Sequence, residues 1–434
     1  MKILIVGGGG REHAILKSLY KSHPEAEYFV LPGNGGIAKL AEIAPIGAKD
    51  LDRIVSYATE KKIDFAVVAQ DDPLALGLVD RLAEVNIPAF GPNKAAARIE
   101  GSKAFAKDLM RKYQIPTADY QVFDDASAAK AYLQEQTAFP VVVKADGLAL
   151  GKGVLICETK EAALDAVDEM MISKQFGDSG NQIVIEEFLE GPEVTVLSFT
   201  DGKTLIPMVS SMDHKRAHDG DVGLNTGGMG VIAPNPFYTE EVAKICEETI
   251  FLPTLRAMEA EGCPFKGCLY FGLMLTKNGP KVIEYNCRFG DPETQTVLPL
   301  LEGDLLAIMQ ATVDGSLHKQ QVSFKNLSAC CVVLASGGYP ESYEKGKKID
   351  FTDFCETEDL HLFHAGTKQE GEDLVTSGGR VLAVTALDET LPLAAKKAYD
   401  AVKKIHFEGA FCRSDIGKKA MDVLQTRANN EHKE

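Results

Sequence analysis

A chain of 434 residues, 45% hydrophobic and 25% charged, has the makeup of a globular protein of two to four domains, at roughly 100–200 residues each. Its formal net charge of −17 repels phosphate backbones, so a nucleic-acid partner is not expected and any anionic ligand must be met by locally gathered Lys and Arg. None of the nine cysteines has the spacing of a zinc or dithiol motif, so most are expected to be small buried residues of a reducing compartment. No apolar run approaches the roughly 20 residues of a membrane span, and Ile3–Val6 meets glycines too early for a secretory core. A cytoplasmic protein without a membrane partner is expected.

The first hundred residues alternate strand and helix. Lys2–Val6 reads as a buried strand, Gly7–Gly10 as a turn, Glu12–Ser22 as a helix, and Tyr28–Leu31, Phe65–Ala69 and Ala89–Phe90 as further strands, a doubly wound α/β pattern. In Gly7-Gly-Gly-Gly-Arg-Glu-His13 the bare N–H groups of Gly9 and Gly10 at a helix start suit a phosphate, with Arg11 adding charge. A dinucleotide is disfavoured, because Glu12 replaces the third fingerprint glycine and Leu31-Pro32 stand where an acid is needed. A plain strand-to-helix turn is the competing reading.

A helix over Ser102–Tyr113 is stopped by Ile115-Pro116. Then come strand Val141–Lys144, a glycine loop Gly147–Gly153, strand Val154–Cys157, helix Lys160–Met171 and strand Ile183–Phe188. Lys144-Ala-Asp-Gly-Leu-Ala-Leu-Gly-Lys-Gly153 is not a Walker loop, but lysines flanking mobile glycines suit a triphosphate. At Glu186-Glu-Phe-Leu-Glu-Gly-Pro-Glu193, backbone between two lobes could bond an adenine edge and Glu193 could hold ribose hydroxyls. Taken alone, such acidic strand ends are usually just solvated.

From Gly191 to about residue 323 antiparallel strands alternate with helices. Asp213-His-Lys-Arg-Ala-His-Asp-Gly-Asp221 leads into Gly223-Leu-Asn-Thr-Gly-Gly-Met-Gly230, a loop suited to a small zwitterion or a phosphate. His214 and His218 are not read as a metal pair, because Asp219-Gly220 breaks the helix their spacing would need. In Glu284-Tyr-Asn-Cys-Arg-Phe-Gly-Asp-Pro-Glu-Thr-Gln295, strand alternation puts Glu284 and Asn286 on one face and Tyr285 in the packing. A carboxylate beside an amide oxygen suits Mg²⁺, Arg288 suits a phosphate or carboxylate, and Cys287 reads as packing. Ala329–Ala335 opens a final α+β region, and the polar tail from Thr426 is expected to fray.

These strings together resemble the glycinamide ribonucleotide synthetases (phosphoribosylamine–glycine ligases), a family of ATP-grasp enzymes of purine synthesis. Arg288-Phe-Gly-Asp-Pro-Glu293 carries the resemblance, with Asp213-His-Lys-Arg216, Asn225-Thr-Gly-Gly-Met-Gly230, Lys144-Ala-Asp-Gly-Leu148, Phe363-His-Ala-Gly-Thr367 and Gly378-Gly-Arg380. It implies an α/β and α+β multidomain protein. Residues 1–101 would form a Rossmann-like pre-grasp domain and 102–323 the ATP-grasp domain, with 118–191 as a mobile lid. Residues 324–424 would form a C-terminal α+β domain and 425–434 a frayed tail.

The resemblance further implies ATP bound by Lys103, Lys144, Glu186, Glu187, Leu189 and Glu193, with Mg²⁺ or Mn²⁺ on Glu284 and Asn286. Arg288, Lys144, Asp213 and Lys215 would serve catalysis. Gly9, Gly10, Arg11, Asp71, Asn225, Gly227, Gly228, Arg288, Asp291 and Glu293 would meet glycine and 5-phosphoribosylamine. The only partners would be these small molecules, the chain acting as a monomer or at most a weak dimer. Two departures stand out. Where the family has Gly-Pro-Glu before its Pro-Leu, this chain has Ala69-Gln-Asp-Asp-Pro-Leu74, so Asp71 replaces a glutamate expected to touch the ribosylamine sugar. Leu224 replaces a usual proline. Asp71 keeps open a second ATP-grasp ligase with other substrates. An inactive nucleotide-binding protein is a weaker alternative, since it would have no use for a metal corner.

Overall fold

The computed structural model describes residues 1–149 and 153–431. Leu150, Gly151 and Lys152, the centre of the glycine loop expected to move over ATP, lie outside the described residues.

The amino-terminal sheet is all parallel, in the order Glu42–Ile43, Glu27–Pro32, Lys2–Gly7, Phe65–Val68, Ala89–Phe90. Its central strands are unbroken apolar runs because helices cover both faces. The order reverses between Lys2–Gly7 and Phe65–Val68, which opens a crevice at their carboxyl ends. Gly8, Gly9 and Asp71 follow directly from those two strands, so topology brings together residues some sixty positions apart.

Two four-stranded antiparallel sheets come next. One runs Tyr120–Phe123, Ile183–Glu187, Val141–Ala145, Val154–Cys157. Helices Ala126–Glu135 and Lys160–Val167 give it its own small core around Leu133, Val143, Ile183 and Met170. Beyond Val167 the expected helix widens into a π-helical turn, Asp168–Ile172. The other sheet runs Leu205–Pro207, Glu193–Thr200, Gly267–Thr276, Gly279–Asn286. Helix Lys103–Lys112 lies between them; Ser102 caps it by accepting the Phe105 N–H.

The last sheet is mixed in origin. Ser328–Ala335, Arg380–Asp388 and Leu360–His364 are joined by Gly230–Ala233 and Met212–Asp213. Hydrogen bonding therefore crosses residue 324, and the Asp213 and Gly228–Gly230 segments are built into the carboxyl-terminal unit. The tail expected to be loose from Thr426 instead continues helix Lys418–Glu431.

The first helix, Gly10–Ser22, docks on strand Leu360–His364. There the His364 N–H donates to His13 Nδ1 at 2.8 Å, and Asn34 Nδ2 donates to the His364 carbonyl at 2.8 Å. Burial, then Lys39 and Lys17, push His364 down to about 3; burial and Lys17 take His361 to about 4. Both folded values lie below the ordinary 6.5, so on acidification the unfolded chain takes the protons first. Their contribution is complete above about pH 6.5 and is lost as pH falls toward the folded values. Melting temperature should therefore fall steadily from pH 6.5 to 4, and His364→Asn should flatten that slope. An unchanged slope in the variant would show that other groups set it.

Candidate active site

Strand Gly279–Asn286 pairs with Gly267–Thr276, with Gly272 opposite Glu284 and Tyr270 opposite Asn286. Tyr285 points inward, its ring 5.7 Å from Phe271 and its hydroxyl 2.9 Å from Thr254 Oγ1. Alternation thus leaves Glu284 and Asn286 on the other face. Burial would raise the Glu284 carboxyl, but Lys215, Lys144, Lys103 and Arg288 outweigh it and hold it below its ordinary range. Lys215 Nζ stands 3.8 Å from Glu284 and 3.3 Å from Glu193. Arg288 lies next in the chain, 3.0 Å from Glu100 and 3.4 Å from Asn286 Oδ1. Cys287 is buried and its backbone N–H donates to Glu100 at 2.7 Å. Burial pushes its thiol well up, the state of a packing residue and not of a nucleophile.

An ionised carboxylate beside an amide oxygen is a donor set that fits a hard divalent ion. Among the described residues, no three His, Cys, Asp or Glu side chains gather to hold a metal unaided. The pair fits an ion whose remaining positions are filled by phosphate oxygens and water.

Behind this corner lies a buried charge triad. Glu186 pairs with Lys144 at 2.8 Å through one oxygen and with Lys107 at 2.9 Å through the other. Lys144 also donates to the Ile283 carbonyl at 3.2 Å, which ties the triad to the Glu284 strand. Burial would raise Glu186, but the two lysines hold it low; burial takes Lys107 down to about 8. The Glu186 side chain is thus engaged by two lysines, which leaves the hinge expectation to the backbone that follows it. Lys107 is a site residue the sequence reading missed. Its signal was there, one helical turn beyond Lys103 on the same face. Lys103 itself donates to the Gly147 carbonyl at 3.0 Å. Glu187 is held by Lys281 at 2.7 Å. Backbone groups of Phe188, Leu189 and Glu190 make no hydrogen bond to the described residues.

On the other side of the cleft, the phosphate turn differs from expectation. The Gly9 N–H donates to Glu12 Oε2 at 2.7 Å, and the Arg11 N–H to Asp291 Oδ2 at 3.2 Å. Two carboxylates thus fill the positive end of the helix. The Arg11 guanidinium is buried and turned inward, bonded to Glu12 Oε1 at 2.6 Å and the Phe289 carbonyl at 3.0 Å. Its charge is still felt at the cavity wall, where against burial Arg380 and then Arg11 hold the Asp291 carboxyl below its ordinary range. Gly9, but not Gly10, lines a cavity of about 340 Å³; Gly10 packs against Gln295 instead. Asn34, Asp291, Thr367 and Arg380 share the cavity wall.

Arg380 NH1 donates to the carbonyls of Gly227 (2.7 Å), Gly228 (3.3 Å) and Asp291 (2.8 Å), and NH2 stands 3.1 Å from Asp291 Oδ1. Gly228 has φ +115, and a Cβ there would sit 2.6 Å from Asp213 Oδ1, so only glycine fits. Asp213 Oδ1 has no partner among the described residues, and burial with nearby Glu293 pushes its carboxyl well above the ordinary value. Glu293 itself is buried and accepts from the Tyr270 hydroxyl at 3.0 Å. It supports the site from behind and does not line the cavity. Asn225 ends the hairpin strand Val222–Asn225, and Thr226 next to it donates to the Lys215 carbonyl at 2.8 Å. Asp71 begins the short helix Asp71–Leu76, where its charge acts on Arg288 and Glu100.

Profiles of the phosphoribosylglycinamide synthetase N domain, ATP-grasp (A) domain and C domain match residues 1–100, 101–294 and 329–419. A phosphoribosylamine–glycine ligase of Rhodopirellula baltica is 46% identical over 426 residues, covering 96% of this chain and 98% of that protein. The chain belongs to the phosphoribosylglycinamide synthetase family. A crystal structure of the Thermotoga maritima phosphoribosylamine–glycine ligase superposes with a TM-score of 0.83 at 35% identity, covering 96% of this chain and all of that one. A biotin carboxylase from Campylobacter jejuni, solved as a β,γ-ATP complex, shares the fold with a TM-score of 0.73 at 17% identity, covering 94% of this chain and 92% of its own.

Within the family frame, Arg380 is the residue sequence reading undervalued. Gly378-Gly-Arg380 was legible as a matching string but gave no hint that its guanidinium locks Gly227, Gly228 and Asp291 together. Arg380→Lys keeps the charge and loses the planar fork. It should lower kcat/KM by about 10²-fold, the scale for a misplaced reacting group, with the melting temperature little changed. Wild-type kinetics from the variant would show that the fork does not set the site.

Proposed function

We propose that the residues above divide the work of joining glycine to phosphoribosylamine, the ATP-dependent reaction that gives glycinamide ribonucleotide, through a glycyl phosphate. The observation that carries this reading is Glu284, kept ionised among four cations, on one strand face with the Asn286 amide.

In this reading the unbonded backbone at Phe188–Glu190 receives the adenine edge, and Glu193 the ribose hydroxyls. Lys103 and Lys144 face the phosphates; Lys144 is held in line by Glu186, which Lys107 in turn fixes. Glu284 and Asn286 would hold Mg²⁺ or Mn²⁺, which when bound supplies charge neutralisation of the phosphates. A glycine carboxylate oxygen attacks the γ-phosphorus as the bond to the ADP oxygen breaks. Positive charge from Lys144, Lys103 and Arg288 offsets the charge spreading over the transferred group. The ribosylamine nitrogen then attacks the glycyl carbonyl carbon, phosphate leaves, and the nitrogen gives up a proton. Asp213, with its raised proton affinity and unpartnered oxygen, is suited to take that proton. Thr367, Asn34 and Arg380 line the cavity read here as the ribosylamine side, and Asp71 would meet the same substrate from beside Arg288. No Ser or Cys nucleophile is needed. No helix among the described residues is long and apolar enough to cross a membrane.

Coupled ADP release, with glycine and freshly prepared ribosylamine each left out in turn, tests the pairing of substrates. ADP formed at full rate without either one would defeat it. Glu284→Ala should lower turnover by about 10²–10³-fold while leaving the circular dichroism spectrum of a folded chain. Retained turnover with Mg²⁺ would remove the metal corner from the mechanism. Asp71→Glu should shift the KM for ribosylamine more than that for ATP; equal shifts would place Asp71 elsewhere.

A further inference from the structure

Lys215 and Asn225 stand at the two ends of a hairpin, Arg216–His218 with Val222–Asn225, that among the described residues pairs only with itself. Val222, Gly223 and Leu224 are exposed, so the hairpin draws little support from burial. Its turn is gripped from nearly 200 residues away. The Ser414 N–H donates to Asp219 Oδ1 at 2.7 Å, and the Gly220 N–H to Asp415 Oδ2 at 2.8 Å. Lys419 pairs with Asp221. The Gly417 N–H donates to Nε2 of His214 at 3.1 Å, just before Lys215.

At the centre is Arg413, only 2% exposed. Its Nε and NH2 take both oxygens of Asp415 at 2.7 and 2.9 Å. NH1 reaches Asp221 Oδ1 at 2.8 Å and the Arg216 carbonyl at 3.1 Å. The segment that carries Arg413, a strap over residues 411–417, is itself anchored. Phe411 exchanges backbone hydrogen bonds with Ala335 (2.8 and 3.0 Å), and the Tyr399 hydroxyl donates to the Arg413 carbonyl at 2.8 Å.

We propose that Arg413 is a positioning residue: through the Asp221 turn and the Arg216 carbonyl it holds the loop that presents Lys215 to Glu193 and Glu284. A buried ion pair is weak evidence for stability but well suited to fixing one geometry. A planar guanidinium meeting two carboxylates and a carbonyl fixes direction where a lysine cannot. Arg413 touches no reacting group, so its effect must pass through the loop. The functional half of the proposal rests on the role given to Lys215 above.

Two measurements on the full chain test it. In hydrogen exchange, Arg413→Met should raise exchange at residues 216–226 by tenfold or more and leave strand Ser328–Ala335 protected. In kinetics, Arg413→Met should lower kcat by tenfold or more and Arg413→Lys should not restore it. In a Lys215→Met background, Arg413→Met should add little further loss. Should Arg413→Met fail to fold, Asp221→Asn cuts one arm at the half-exposed turn, leaves the Arg413–Asp415 pair, and should move exchange and kcat the same way by less. Unchanged hairpin exchange, a loosened hairpin with wild-type kcat, or fully multiplicative losses would each overturn the proposal. Wild-type turnover from Lys215→Met would remove the role of Lys215 instead. The exchange arm uses no turnover and would still decide whether Arg413 holds the hairpin.

Discussion

The structure turns on how an acidic chain keeps a cluster of cations charged inside a cleft. Lys103, Lys107, Lys144, Lys215 and Arg288 converge on two strand ends, where a charge taken out of water must be matched. Each is matched to an acceptor. Glu186 takes Lys144 and Lys107, Glu193 and Glu284 take Lys215, Glu100 takes Arg288, and a loop carbonyl takes Lys103. Matching keeps the cations in place before any anion arrives. A half-matched cluster would be worse than an apolar one, because an unpaired buried charge costs several kcal/mol, roughly 3–5. That is why removing Glu186 should be more damaging than its distance from the reacting atoms implies.

The same constraint explains the interlocked topology. The Glu284–Asn286 pair sits on the sheet of Gly267–Thr276 and Gly279–Asn286, while Asp213 and Gly228 hang from the last sheet, which they share with Arg380. Arg380 reaches across to Asp291, three residues past Arg288. Asp291 in turn accepts from the first helix of the parallel sheet. Three sheets thus meet at one aspartate, and a shift of any sheet is felt by the others through charge-assisted hydrogen bonds.

Much of this was legible in the sequence because it is local. Buried apolar runs gave the parallel strands, and period-two alternation put Glu284 and Asn286 opposite Tyr285. What was not legible is pairing across sequence distance. Nothing near Arg11 says that its guanidinium bonds Phe289, and nothing near Glu186 says that Lys107 will meet it. The glycine turn misled for the same reason. Its N–H groups suit an anion, but only the folded chain shows that Glu12 and Asp291 supply two. The polar tail looked loose by composition, yet helix Lys418–Glu431 begins directly after the strap that grips the hairpin, with Lys419 still paired to Asp221. Tertiary contact at its start gives that helix the nucleus its composition lacks.

Asp71 shows how a shortened side chain can be carried by its surroundings. Loss of one methylene draws a carboxylate back by about the length of a C–C bond, near 1.5 Å, more than a direct hydrogen bond tolerates. Charge is less demanding than geometry, since Coulomb energy falls only as the inverse of distance. Asp71 still acts on Arg288 and Glu100, which hold each other at 3.0 Å. Its electrostatic part beside Arg288 is therefore retained, and in the proposed reading the shorter side chain would lose reach toward a sugar hydroxyl. In the proposed reading, aspartate would thus separate two jobs of a glutamate and weaken only the one that depends on length.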